Sequence, residues 1–215
     1  MEGFLLTEGI YTSDFMVKPI RRQIKGPKKT IYLILTSNKT PLGLLIQTVL
    51  DIPFSHIGIS FEDNFSEVFA FGDDLDENHS GFLIEKMDRG VFTANDSDYV
   101  MLELDVTPKE YDRLKAEVRW FVHRHKEMKF NDIGLFVNAI GIPMNFKNRF
   151  FCSQFVAYVL EKSGVKLFDK NYGLVRPSDF LVHPDTRETH GGKVRDRIKS
   201  DKKRKMYKQT TFLDY

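Results

Sequence analysis

Short runs of apolar and β-branched residues recur through the middle of the chain, a pattern that is typical of β-strands. The clearest run is Thr30–Thr36, which is apolar enough to be buried on both faces of a sheet. Further strands are predicted at four places: Ser55–Glu62, Glu67–Phe71, Phe82–Met87 and Tyr99–Val106. The connections between them are short, which favours antiparallel pairing.

Helical spacing dominates the second half of the chain. Thr107 at an N-cap, Pro108 at the first helical position and Glu110 together predict a capping box at a helix start. An apolar stripe at helical spacing follows: Tyr111, Leu114, Val118, Phe121 and Val122. Other helices or helical turns are predicted at Pro41–Leu50, Asn131–Ile140, Cys152–Lys162 and Pro177–Phe180. We therefore expect an α+β domain.

Composition narrows the class of protein. The chain has 215 residues, of which 41% are hydrophobic and 13% aromatic, as in a globular protein with one sizeable core. A single cysteine excludes an intramolecular disulfide and a cysteine-rich zinc site, and it favours a reducing compartment. The N-terminal sequence does not resemble a signal peptide, and no apolar run is long enough to span a bilayer. We expect a cytoplasmic protein without a transmembrane segment.

Charge is distributed unevenly although the formal net charge is only +2. Residues 18–29 carry six basic and no acidic side chains, and residues 193–208 carry nine basic and two acidic side chains. This predicts a domain at residues 30–182, with a basic N-terminal extension at 1–29 and a basic C-terminal tail at 183–215. Such segments are solvated arms or docking sites for an anionic partner.

Cys152 is the first candidate for chemistry, because it opens a predicted helix. A buried cysteine is often an ordinary small core residue, and Cys152 shares an apolar face with Phe155, Val156 and Val159. However, the first turn of a helix offers unsatisfied N–H groups and a positive dipole end, which favour a thiolate and can hold an oxyanion. Both interpretations stay open from this sequence alone.

His56 is the second candidate, within the predicted strand that begins near Ser55. Alternation places His56, Gly58 and Ser60 on one face of that strand. An exposed surface histidine is one interpretation. The other is that the small neighbours leave room for a helix terminus, so that the imidazole serves as the base for a thiol nucleophile.

Metal and cofactor sites have little support. The six histidines form no HExxH motif. The acidic stretch Asp73–Glu77 lacks the glycine and terminal glutamate spacing of a calcium-binding EF-hand loop, so a solvated loop is predicted instead. We expect neither a metal nor a cofactor.

Three segments in this order suggest a family: Ser55-His-Ile-Gly-Ile-Ser60, then Phe151-Cys-Ser-Gln-Phe-Val-Ala157, then Val175-Arg-Pro-Ser-Asp-Phe180. The arrangement resembles the circularly permuted, NlpC-like branch of the papain-like thiol hydrolases, and the related lecithin–retinol acyltransferase-like group. The resemblance implies a permuted papain-like fold, in which an antiparallel sheet packs against the helix that carries the cysteine. It also implies Cys152 as nucleophile and His56 as base, and it suits a bacterial or phage origin.

The sequence departs from that family at the third polar residue, which usually follows on the next strand and orients the imidazole. Ala70 stands at the matching position and cannot accept a hydrogen bond with its side chain. Glu67 is the candidate replacement, provided that the strand register is shifted.

Two functions follow. The first is a cysteine hydrolase or acyltransferase, a peptidase, amidase or acyl-ester hydrolase acting on a peptide, a cell-wall peptide, an isopeptide or a lipid ester. The second is a catalytically inactive binding or structural module that docks a partner through its basic arms.

Overall fold

Eight strands form a single sheet. The computed structural model describes residues 18–37, 53–74, 78–90, 92 and 96–211, without the side chains of residues 139 and 205–211. The strands are β1 (Lys29–Thr36), β2 (His56–Ser60), β3 (Val68–Asp74), β4 (His79–Glu85), β5 (Asp98–Val106), β6 (Lys129–Phe130), β7 (Arg149–Phe150) and β8 (Thr186–Lys193).

The strand order across the sheet is β7-β6-β4-β3-β2-β1-β5-β8. Every neighbouring pair is antiparallel except β6 and β7, which are parallel. The prediction of an α+β domain is confirmed, and the sheet is mixed rather than wholly antiparallel. The parallel pair is possible because a helix connects its two short strands.

Five helices accompany the sheet within the described residues: α1 (Pro108–His123), α2 (Asp132–Ala139), α3 (Cys152–Lys162), α4 (Pro177–Leu181) and α5 (Val194–Thr211). The predicted capping box is present at the start of α1. The Thr107 hydroxyl accepts from the backbone N–H of Glu110 at 3.3 Å, and the Glu110 carboxylate accepts from the backbone N–H of Thr107 at 2.7 Å. The predicted helix Pro41–Leu50 lies outside the described residues.

Both faces of the sheet are covered. One face packs against α1 and α3 in the main core, where five phenylalanine rings meet: Phe71, Phe82, Phe121, Phe150 and Phe155. The opposite face forms a second core that includes Ile34, Val68 and Met101, and Val194 at the start of α5 belongs to it. Strand β1 contributes to both cores, as its uninterrupted apolar sequence predicts.

The described parts of the two basic segments contact the rest of the chain. The backbone N–H of Ile20 donates to the carbonyl of Leu167 at 2.7 Å, and Arg22 forms an ion pair with Glu110 at 2.6 Å. At the other end, β8 pairs with β5, and α5 follows it. Arg204 on α5 binds both carboxylate oxygens of Asp63, at 2.8 and 2.9 Å. These basic side chains neutralise acidic groups of the same chain.

The stretch Asp73–Glu77, predicted as a solvated loop, belongs in part to a strand. Strand β3 continues to Asp74, and β4 begins at His79, paired directly with Asp74, while residues 75–77 lie outside the described residues. Polar side chains obscure the strand pattern here because only the earlier part of β3 is buried.

Candidate active site

His56 opens β2 and is buried inside the sheet. It pairs with Thr36 of β1, and its side chain is 9% exposed. The interpretation as an exposed surface histidine is therefore excluded. Burial arises because the face that carries His56 is covered by the second core, where the Phe92 ring centroid lies 6.4 Å from the imidazole centroid.

Glu85 binds the imidazole. Its Oε1 lies 2.6 Å from His56 Nε2, and the Glu85 side chain is only 4% exposed. Because an ionised carboxylate only accepts hydrogen bonds, Nε2–H is the donor, and Nδ1 remains for a second interaction. Glu85 stands at the end of β4, opposite Val68 of β3, and its side chain crosses β3 to reach β2.

Small residues along this face make room for the carboxylate. Ala70 of β3 is completely buried and lies on the face of Val68, between Glu85's strand and that of His56. A Cβ added at Gly58 would lie 3.3 Å from Glu85 Oε2 and 2.6 Å from Val68 Cγ1. Ala70 stands where the family has a polar residue, and its small side chain leaves space for the Glu85 carboxylate to pass over β3.

Helix α3 places Cys152 next to the start of β2. It is the first residue of that helix, is 6% exposed, and its Sγ lies 4.0 Å from the carbonyl oxygen of Ser55, the residue before His56. The interaction between Cys152 and the His56 imidazole is one of the causes that raise the pKa of His56. The two candidate residues, nearly a hundred positions apart in the chain, are therefore neighbours.

The surroundings of His56 favour its protonated form. Burial on its own lowers the pKa of His56, because the imidazolium loses hydration. The charge of Glu85, the side-chain hydrogen bonds to Cys152 and Glu85, and the charge of Cys152 oppose this effect. In sum they hold the pKa of His56 well above its usual value. A positive charge beside the sulfur is the environment in which reactive cysteines occur.

The start of α3 leaves backbone donors beside the sulfur. The N-cap residue is Phe151, whose side chain cannot accept a hydrogen bond, so it does not engage the first N–H groups of the helix. The first intrahelical bond runs from the N–H of Phe155 to the Phe151 carbonyl at 2.9 Å. The N–H groups of the first turn, beginning with Cys152 itself, point away from the helix body and can hold an oxyanion.

The polar neighbours of Cys152 hold the helix in position. Ser153 Oγ donates to the carbonyl of Val175 at 2.6 Å. Gln154 Oε1 accepts from the backbone N–H of Phe151 at 3.3 Å and from Asn131 Nδ2 at 3.1 Å. Because Ser153 and Gln154 are buried and engaged in these bonds, we assign them a structural role.

Glu67, the sequence-based candidate for orienting the imidazole, does not occupy that position. It is exposed and lies immediately before β3, whereas Glu85 fills the place beside His56. The signal visible in the sequence is Glu85, a charged residue that directly follows the otherwise apolar segment Gly81–Ile84. It could not be interpreted without knowing the register of β4 against β3.

Among the described residues, no three His, Cys, Asp or Glu side chains form a group that could hold a metal ion. Over the same part of the chain, none of the helices combines the length and apolarity that crossing a bilayer requires. Comparison of the sequence with protein-family models gives no match, and the curated proteins contain no similar sequence.

Proposed function

We propose that this chain is a cysteine hydrolase or acyltransferase with a circularly permuted papain-like core. Cys152 is the nucleophile, His56 is its proton-transfer partner, and Glu85 orients and charges the imidazole. The observation that carries the proposal is the buried 2.6 Å contact between His56 and Glu85, located beside a thiol at the start of a helix.

The geometry suggests a two-stage reaction. The Cys152 thiolate attacks the carbonyl carbon of an ester or amide, and the backbone N–H groups of the first turn of α3 stabilise the oxyanion. The His56 imidazolium donates its proton to the leaving oxygen or nitrogen as the bond to the carbonyl carbon breaks. The product is a thioester between the acyl group and Cys152.

The second stage releases the acyl group. Neutral His56 accepts a proton from water or from another acyl acceptor, whose oxygen or nitrogen attacks the thioester. The carbon–sulfur bond breaks, and the imidazolium and thiolate are regenerated. Glu85 keeps its negative charge throughout, and its contact with Nε2 leaves Nδ1 to exchange the proton.

Two measurements test the proposal. Cys152 should react with iodoacetamide at neutral pH faster than free cysteine, and His56→Ala should remove that advantage, whereas His125→Ala, at an exposed position just after α1, should not. With 4-nitrophenyl acetate as a generic acyl donor, mass spectrometry should detect an acetyl group on Cys152. If Cys152 reacts no faster than free cysteine in both the wild-type protein and the His56→Ala variant, the assignment is refuted.

The alternative of an inactive module docking through basic arms has weaker support. Its support in the sequence is the lack of a polar side chain at Ala70 and the presence of the two basic segments. Glu85 now stands at the imidazole, and Arg22 and Arg204 bind carboxylates of the same chain. We therefore retain the catalytic proposal alone.

A further inference from the structure

A cluster of large apolar side chains lies exposed on α2 and the segment after it. These residues, which we call the apolar patch, are Ile133, Phe136, Ile140, Ile142 and Phe146, and they are 62%, 62%, 70%, 49% and 40% exposed. Single exposed apolar residues are common on protein surfaces, but contiguous clusters mark interaction sites.

The patch is fixed on an outward-facing side of α2. Ile133, Phe136 and Ile140 follow helical spacing, so they share one side. The other side is anchored: Asn138 Nδ2 donates to the carbonyl of Gly173 at 2.9 Å, and the N-cap residue Asn131 donates through Nδ2 to Gln154 Oε1 at 3.1 Å. Rotating the apolar side chains inward would break these buried hydrogen bonds.

Three basic residues and one acidic residue, the exposed Asp132 at the start of α2, adjoin the patch in the chain. Lys147 directly follows Phe146 and is exposed. Lys129 and Arg149 are also exposed, and they stand side by side in the parallel pair of β6 and β7, the strands that lead into α2 and out of the segment after it. We call these three residues the basic rim.

We propose that the apolar patch and the basic rim form a docking surface for an anionic lipid bilayer. A short helix with apolar side chains on one side and basic residues nearby is suited to the membrane interface. Its apolar side chains enter the boundary between headgroups and acyl chains, and the basic side chains bind anionic headgroups. A second copy of this chain is a poorer occupant, because a symmetric contact would bring the two basic rims together.

The patch is connected to the start of α3. Gln154 Nε2 donates to the carbonyl of Met144 at 3.2 Å and to Asn145 Oδ1 at 2.8 Å, both within the segment that carries the patch. Bilayer docking would therefore hold the helix of Cys152 at a fixed position relative to the lipid.

Co-sedimentation of the full chain with vesicles tests the docking surface. Binding is expected to vesicles of phosphatidylcholine with phosphatidylserine, and to be weaker to phosphatidylcholine alone. Phe136→Ser should weaken binding about tenfold or more, while Val182→Ser, a control that is also exposed at 57%, should not. Lys147→Glu should weaken it about fivefold or more, whereas Lys199→Glu on α5 should not.

Ile140→Ser provides a second patch variant if Phe136→Ser does not fold by circular dichroism. Absence of binding to the anionic vesicles, or equal binding by wild type and a folded patch variant, would overturn the proposal. Dimers in size-exclusion chromatography that are lost in the patch variant would assign the surface to a second copy instead. Cys152→Ser should bind vesicles like wild type, so loss of catalysis and loss of docking are distinguishable.

Discussion

His56 Nε2 and Glu85 Oε1 meet at 2.6 Å although their strands are separated by β3. The contact is possible because Gly58 and Ala70 carry almost no side chain where the carboxylate passes over the sheet. The glutamate side chain is long enough to cross the intervening strand, so the orienting group can come from one strand farther away than Glu67.

Glu85→Gln should slow the modification of Cys152 while preserving the shape of the side chain. Without the carboxylate charge, the pKa of His56 falls, and less imidazolium is present at neutral pH. We expect the rate of iodoacetamide labelling at pH 7 to drop about tenfold or more. Glu67→Gln is the matched control, and a comparable loss there would contradict the role of Glu85.

The same substitution should change how stability depends on pH. Because the folded-state pKa of His56 is raised, its stabilising contribution is fully present below the pKa of an unfolded histidine, about 6.5. It is lost as pH rises through the folded-state pKa. The difference in unfolding free energy between wild type and Glu85→Gln should therefore be largest in mildly acidic solution and shrink towards alkaline pH.

Urea unfolding between about pH 5.5 and pH 9 measures this difference, a range in which an unfolded glutamate is already ionised. His183, whose pKa is lowered by burial, gives the opposite trend, since its contribution is lost as pH falls. It is present in both proteins and cancels from the comparison. A difference that grows with pH would show that the His56 pKa is not raised.

Gly58→Ala should destabilise the fold and disturb the site. The added methyl would lie 2.6 Å from Val68 Cγ1 and 3.3 Å from Glu85 Oε2, so neighbouring atoms must move. We expect a loss of about 1–3 kcal/mol in unfolding free energy, with slower labelling of Cys152.

Gly72→Ala is the control for this crowding. Its new methyl would lie 3.7 Å from His56 Cε1, an ordinary contact distance. If the two alanine variants lose equal stability, the close fit around Glu85 is not the cause.

Arg22→Ala should weaken the attachment of the basic N-terminal segment. Its guanidinium binds the Glu110 carboxylate at 2.6 Å and the carbonyl of Asp105 at 3.0 Å, and the ion pair is largely buried. Removing it leaves Glu110 without that partner, at a cost of about 1–3 kcal/mol. The exposed neighbour Arg21, changed to alanine, should have almost no effect on the urea midpoint.

Local chemistry made much of the fold predictable. The limits of α3 and the capping box at Thr107 agree with the structure because each depends on neighbouring residues alone. The strand β8 and the helix α5 are not among the predicted elements, since their sequences are polar and lack an apolar period. They form because β5 supplies a pairing edge and because Asp63 receives Arg204.

The sequence by itself determined which residues carry candidate chemistry: a lone thiol at a helix start and a histidine on a strand of small neighbours. Only the tertiary structure decided that His56 is buried, that Cys152 adjoins it, and that Glu85 rather than Glu67 binds the imidazole. The physical reason is register. A side chain's face and its neighbours across a sheet depend on how distant strands align, and a shift of one residue reverses every face.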